Sequence, residues 1–241
     1  MIIDDRNKKP GSVARRLMRT TRQVSLATID SASEGRPYAS LSLVACGHDA
    51  APLLLLPAFA QHSINIRGDN RISILFYKAR DAITQGRVSI IGKAIPTEDH
   101  LLKKRFLSRH SSSQIYQQFN ESVLYRVSLE SVNFVLGDDQ VHKLEMLEVI
   151  FNATDYEKLS IDEPEFIEDI NLNFSELINL CANNAVGRPG MDWRLTGIDP
   201  EGVDLARNDA EARFDFDKPV NSKDSLMSEL FKAIQTDGGK E

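Results

Sequence analysis

The sequence predicts an α+β protein built on an antiparallel β-barrel or sandwich, with helices only at its corners and a small α/β unit behind it. Three observations carry this. Six strand-like segments lie before residue 137, most of them alternating and one apolar throughout, separated by Gly, Pro and Asp turns. The helical patterns among them are short and sit at the turns, so no βαβ unit recurs. No GxGxxG or Walker motif occurs, which argues against a doubly wound nucleotide fold.

The elements follow in order. Ser12 is placed to cap a helix over Val13–Thr20, with Arg15, Arg16, Arg19 and Arg22 in or beside it. Gln23–Ile29 alternates as a first strand, and Tyr38–Cys46 as a second. Leu53–Leu56 is a third, apolar throughout. Phe59–Arg67 breaks the alternation and fits a short helix closed by Gly68. Ile72–Tyr77 and Gly86–Ile95 are the fourth and fifth strands, the latter stopped by Pro96. Thr97 is a plausible cap for an amphipathic helix over Glu98–Ser108, and Ser113–Phe119 suggests a further helical turn. Leu124–Leu136 is the sixth strand. Residues 151–164 are acidic and weakly periodic, and read as a linker. Glu165–Asn184 has helical spacing in Phe166, Ile170, Phe174, Leu177, Ile178 and Cys181. Trp193–Ile198, Val203–Ala206 and Ala212–Phe216 are short strands, and Ser222 can cap a last helix over Lys223–Gln235. The expected domains are 1–150 and 151–241, the second ordered α-β-β-β-α.

Composition narrows the class. The chain has 241 residues, 41% hydrophobic and 27% charged, an ordinary globular balance. No apolar run approaches the roughly 18 residues of a membrane span, and the N-terminus has no apolar signal segment. Cys46 and Cys181 are the only cysteines, too few for a disulfide framework or a tetrahedral zinc site. A reducing, cytoplasmic location is the expectation. The net charge of −6 hides an asymmetry: residues 1–137 carry 19 Lys+Arg against 11 Asp+Glu, a balance of +8, and residues 138–241 carry 10 against 24, a balance of −14. An anionic ligand therefore belongs with the first half.

Within Ala60–Arg67, His62, Ser63, Asn65 and Arg67 crowd the start of a short helix. Free backbone N–H groups, a hydroxyl and basic side chains there can cradle a phosphate, although an ordinary capped helix has the same composition. Gln61–Arg105 holds nine Lys+Arg against four Asp+Glu, which suits a dianionic phosphate or propionates. Nucleic acid is not expected, because exposed aromatics are not interleaved with these charges. Ser40 and Ser42 share one face of their strand, a small polar surface against which a flat ligand could lie. No histidine pair, GxSxG elbow or carboxylate dyad stands out, and both cysteines read as core.

The ordered set Arg36–Val44, Leu53–Leu56, Ala60–Ile66, Arg71–Phe76, Gly86–Ala94, Lys104–Leu107 and Tyr116/Phe119/Tyr125 resembles the pyridoxamine-5′-phosphate-oxidase-like FMN-binding split barrels, in their haem-utilisation (HugZ-type) branch. Trp193–Leu205 with Ala212–Phe216 resembles the small domain appended to many of them. The resemblance implies a six-stranded split barrel that forms a homodimer with two sites at the interface. It implies FMN as cofactor, held by positions matching Ser40, Ser42, His62, Ser63, Asn65, Ser73 and Arg87; Arg67 is added on charge. The haem-degrading relatives imply haem instead, with His142 as the candidate ligand. Two departures from the family pattern are plain. A GGFG-like turn is replaced by Val135–Gln140 with Asp138 and Asp139, and Ile170–Ser175 lacks a histidine usual at that place. Three functions are therefore expected in turn: a flavin oxidoreductase, a haem-binding or haem-degrading protein, and a non-catalytic dimeric relative whose site has decayed.

Overall fold

The computed structural model describes residues 9–78, 86–110, 121–136, 140–208 and 210–235. The chain divides into two compact units, residues 1–106 with 115–151, and residues 107–114 with 152–241.

The first unit is one curled antiparallel sheet. Its strands are β1 (Gln23–Asp30), β2 (Arg36–Leu43), β3 (Ala45–Cys46), β4 (Pro52–Pro57), β5 (Arg71–Tyr77), β6 (Arg87–Pro96), β7 (Ser122–Leu136) and β8 (Gln140–Leu144). They run in the order β2-β1-β5-β6-β7-β4-β3, with β8 paired to β7. The two-residue β3 and the hairpin partner β8 add to the six strands expected. The chain itself crosses the seam: Val44 joins β2 to β3 and donates its N–H to the Arg22 carbonyl at 2.9 Å. β7 is long enough to pair with β6 along most of its length and with β4 and then β8 at its two ends.

Alternation decides the inside. Val24, Leu26, Ile72, Ile74, Phe76, Val88, Ile90, Val132 and Phe134 fill the core. Helix α1 (Pro10–Thr20) packs on it through Val13, Ala14, Leu17 and Met18. This helix starts at Pro10, not at Ser12. Proline suits the first helical position, where its missing N–H is unneeded, and Ser12 bonds back to the Lys9 carbonyl at 2.8 Å. Likewise Asp99, not Thr97, caps α3 (His100–Arg109), accepting from the Leu101 and Leu102 N–H groups.

A bulge bends β6 and β7 where the register shifts between Ile91 and Gly92. A Cβ on Gly92 would stand 2.2 Å from the Ser128 carbonyl oxygen, a backbone atom that cannot step aside. Gly92→Ala is therefore expected to cost on the order of 3 kcal/mol, read as a lower urea midpoint with an unchanged slope.

The second unit packs helices on a three-stranded sheet. After the short α4 (Met146–Val149), which belongs to the barrel unit, come α5 (Glu157–Asn173), α6 (Ser175–Leu180) and a π-helical turn at Cys181–Ala185. Then come β9 (Arg194–Asp199), β10 (Gly202–Arg207), β11 (Ala210–Asp215) and α7 (Lys223–Gln235). The expected linker is thus mostly helix. Acidic Glu157 suits the first turn, Leu159 and Ile170 are fully buried on one face, and Lys158 pairs with Asp162 one turn on. Pro164 lies within α5 without ending it. The core holds Leu159, Ile170, Ile178, Cys181, Ile198, Val203, Leu226 and Leu230. Burial pushes the Cys181 thiol up to about 12, and Cys46 is buried as well.

The opposite face of this sheet is ionic. Arg213, 3% exposed in its side chain, reaches Asp199 with Nη1 at 2.7 Å and Nη2 at 2.9 Å, Asp204 at 3.3 Å and Asp215 at 2.8 Å. Arg109 pairs with the other oxygen of Asp204, and Ser108 bonds the Thr196 carbonyl. Burial opposes the charge on Arg213, but Asp199 and Asp204 outweigh it and hold the guanidinium protonated.

Candidate functional site

The helix expected over Phe59–Arg67 is α2 (Gln61–Gly68). Asn65 fixes it to the sheet: its Nδ2 donates to Thr28 Oγ1 at 3.0 Å, and its Oδ1 accepts from Gln61 Nε2 at 2.8 Å. Both polar ends of Asn65 are thereby used inside the fold.

Ala60 is the N-cap, and no side chain caps α2. An alanine there leaves the first-turn N–H groups without the usual side-chain acceptor. Directly behind them the Ser63 hydroxyl is 0% exposed, and it has no hydrogen-bond partner among the described residues. His62 Nε2 is buried and equally without a partner. Burial lowers the His62 pKa, so the ring is neutral near pH 7. The unfolded chain takes up the proton more readily, so His62 withdraws stability as the pH falls below the ordinary histidine value. An uncapped helix start with two orphaned side-chain atoms is a place where an acceptor is missing, and an anion supplies one.

The remaining residues do not gather at this point. Paired positions share a face of the sheet, so register places each of them. Ser42 is buried and Ser40 half-buried on the core side of β2, bonded to the Leu43 and Leu26 carbonyls at 2.9 and 3.4 Å. Leu41 points the other way and is 62% exposed. Ser73 and Arg87 lie on that outer face. Arg67 runs from α2 to donate to the Ala58 carbonyl at 2.8 Å. His142 sits on β8, opposite Phe134 and stacked on its ring at 6.1 Å. Arg87 pairs with Val135 and faces outward, whereas His142 pairs with Phe134, one position on and on the other face of the sheet. Of the altered turn, 137–139, including Asp138 and Asp139, lie outside the described residues, as do Tyr116 and Phe119.

The outer face has a property that the residue-by-residue reading missed. Two neighbouring rungs, Leu41-Ser25-Leu75-Ser89-Asn133 and Ala39-Ala27-Ser73-Ile91-Ser131, cross five strands without a charged side chain. Reading the six strands together, one position in two, would have found it.

An antiparallel split barrel with an uncapped, anion-ready helix at its side defines a class of cofactor-binding barrels. The pyridoxamine 5′-phosphate oxidase family matches residues 13–151, and the chain belongs to that family. Among curated proteins none matches the chain. A solved structure of a protein of unknown function from Agrobacterium tumefaciens is 25% identical, with a TM-score of 0.77, over 92% of this chain and 94% of that one. A heme binding protein from Mycobacterium smegmatis has the same fold at 22% identity and a TM-score of 0.53, over 95% of this chain and 98% of its own.

Proposed function

We propose that the barrel unit binds FMN at the start of α2 and serves as a flavin-dependent oxidoreductase, acting as a homodimer. The observation that carries this is the fully buried Ser63 hydroxyl with no partner, beside the partnerless Nε2 of His62. These two groups and the first-turn N–H groups of α2 would hold the phosphate. Ser73 and Arg87 would meet the ring on the outer face, and Ser40 and Ser42, which face the core, would act only by fixing strand β2 beneath it. Asn65 would act on the site by positioning α2, whereas Arg67, at the far end of the helix, faces another surface. FMN, when bound, supplies the electron chemistry, and the chain supplies orientation and charge. The uncharged outer rungs are the surface on which a second copy would rest; charged residues are depleted at the cores of such interfaces.

Haem is the second reading. It is favoured by His142, whose nitrogens make no hydrogen bond among the described residues, so that one could ligate iron. The M. smegmatis neighbour, a heme binding protein, supports it too.

A titration of the full chain with FMN and with haemin, followed by absorbance, tests both. FMN uptake at micromolar concentration is expected, with the His62 ring signals in NMR titrating at higher pH once FMN is bound. The sign follows from the added negative charge, which favours the protonated imidazole. A sharp Soret band lost in His142→Ala would transfer the function to haem. Uptake of neither at tens of micromolar would overturn both readings and leave a non-catalytic dimer.

A further inference from the structure

Beside the second half of α2 the barrel unit has a cleft of about 520 Å³, lined by Ile66, Arg67, Asp69, Asn70, Ala94, Pro96 and Tyr125. That volume lies in the range of small-molecule sites, roughly 300–1,000 Å³. Exposed Pro96 and the edges of Ile66 and the Tyr125 ring give it an apolar side, and Arg67, Asp69 and Asn70 give it a polar one.

The charges are not balanced. Asp69 is held at the rim by Arg71, whose Nε and Nη2 reach its two oxygens at 2.9 and 2.5 Å. That hydrogen-bonded pair lowers the Asp69 pKa to about 2, so its negative charge is already matched. Arg67 spends one donor on the Ala58 carbonyl and has no carboxylate partner among the described residues. A guanidinium carries five N–H donors, so most of the fork is open. Tyr125 is 3% exposed, yet its hydroxyl makes no hydrogen bond among the described residues. The cleft therefore offers an unmatched planar cation and an open hydroxyl above an apolar surface.

The geometry selects between anions. A free phosphate would meet one guanidinium at the carbonyl end of α2, without a cradle of backbone N–H groups, and the helix dipole there opposes a dianion more than a monoanion. A carboxylate fits the guanidinium fork in two parallel bonds, and its organic body would cover the apolar side. We propose that this cleft binds a small organic carboxylate, its carboxylate on Arg67 and Tyr125 and its body over Pro96 and the edge of Ile66. The proposal does not depend on FMN or haem at the start of α2.

The test uses sodium benzoate on the full-length chain. The Arg67 Nε–H signal and the Gly68, Asn70 and Ala94 amides are followed by NMR at constant ionic strength. A saturable shift at millimolar benzoate is expected, with benzamide and inorganic phosphate each weaker by about tenfold or more. Arg67→Gln should weaken benzoate by about tenfold, read on the backbone amides, and Tyr125→Phe by severalfold. Arg67→Lys should retain part of the affinity, which separates lost charge from a damaged fold, as does an unchanged melting temperature in Arg67→Gln. Shifts that do not saturate, equal binding of benzamide, tighter binding of phosphate, or full affinity in a folded Arg67→Gln variant would each overturn the proposal.

Discussion

Arg213→Met is expected to cost the second unit on the order of 3–5 kcal/mol, the usual result of breaking a buried ion pair from one side. Asp199 is 1% exposed, and it takes both Arg213 Nη donors and the Glu201 N–H. Without the guanidinium it keeps the Glu201 backbone bond but loses the two-pronged cation that matches its buried charge. Asp204 is better placed, because Arg109 still holds it. The loss should therefore be carried mainly by Asp199. Asp199→Asn made in the Arg213→Met background should recover part of it, and that non-additivity separates the ion pair from simple packing. The pH dependence has a definite sign. In Arg213→Met the folded state favours protonated Asp199, so its folded pKa rises above the unfolded value. The fold then binds more protons than the unfolded chain, and stability falls as the pH rises through that window. The deficit against the natural sequence should thus be smallest in acid and widest near neutrality. Urea midpoints at several pH values read it directly. An equal deficit at all pH values would mean that the lost contacts, and not the charge, set the cost.

Ser63→Ala is expected to move stability and binding in opposite directions. The hydroxyl is buried without a partner, a state that costs a folded protein about 1–3 kcal/mol. Removing it should leave the protein unchanged or stabilise it by about 1 kcal/mol. If the hydroxyl is kept as a phosphate donor, the same change should weaken FMN about tenfold, as expected for a lost hydrogen bond to a charged group. A merely structural serine gives the other pattern, a loss of stability with no effect on binding. Melting temperature and FMN titration on one preparation distinguish the two.

Alternation alone is enough to recognise strands such as Gln23–Ile29 and Leu124–Leu136, because each buries one face. It does not say which face is buried when both are small or apolar. β2 is the case in point: Ser42 turns inward and Leu41 outward, a choice made by the rest of the sheet through register. The crowding of His62, Ser63 and Arg67 was visible in the sequence, but their separation was not. His62 and Arg67 are five residues apart, which on a helix is about 140° of rotation, so neighbours in sequence serve different surfaces. Tyr125 carries part of the family resemblance but no sign of a cleft, since it reaches the cleft only because β7 pairs with Pro96 of β6. Arg213 likewise shows its three carboxylates only when β9, β10 and β11 lie side by side. Pairings distant in sequence leave no local mark.

The two uncharged rungs on the outer sheet face have one more consequence. Association through them would rest on buried area and hydrogen bonds, which dissolved ions hardly screen, while an anion at α2 or at Arg67 is held by charge. If two copies associate there and an anion binds at either place, rising ionic strength should strip the anion well before it separates the copies, so that assembly and occupancy become independently adjustable by salt alone.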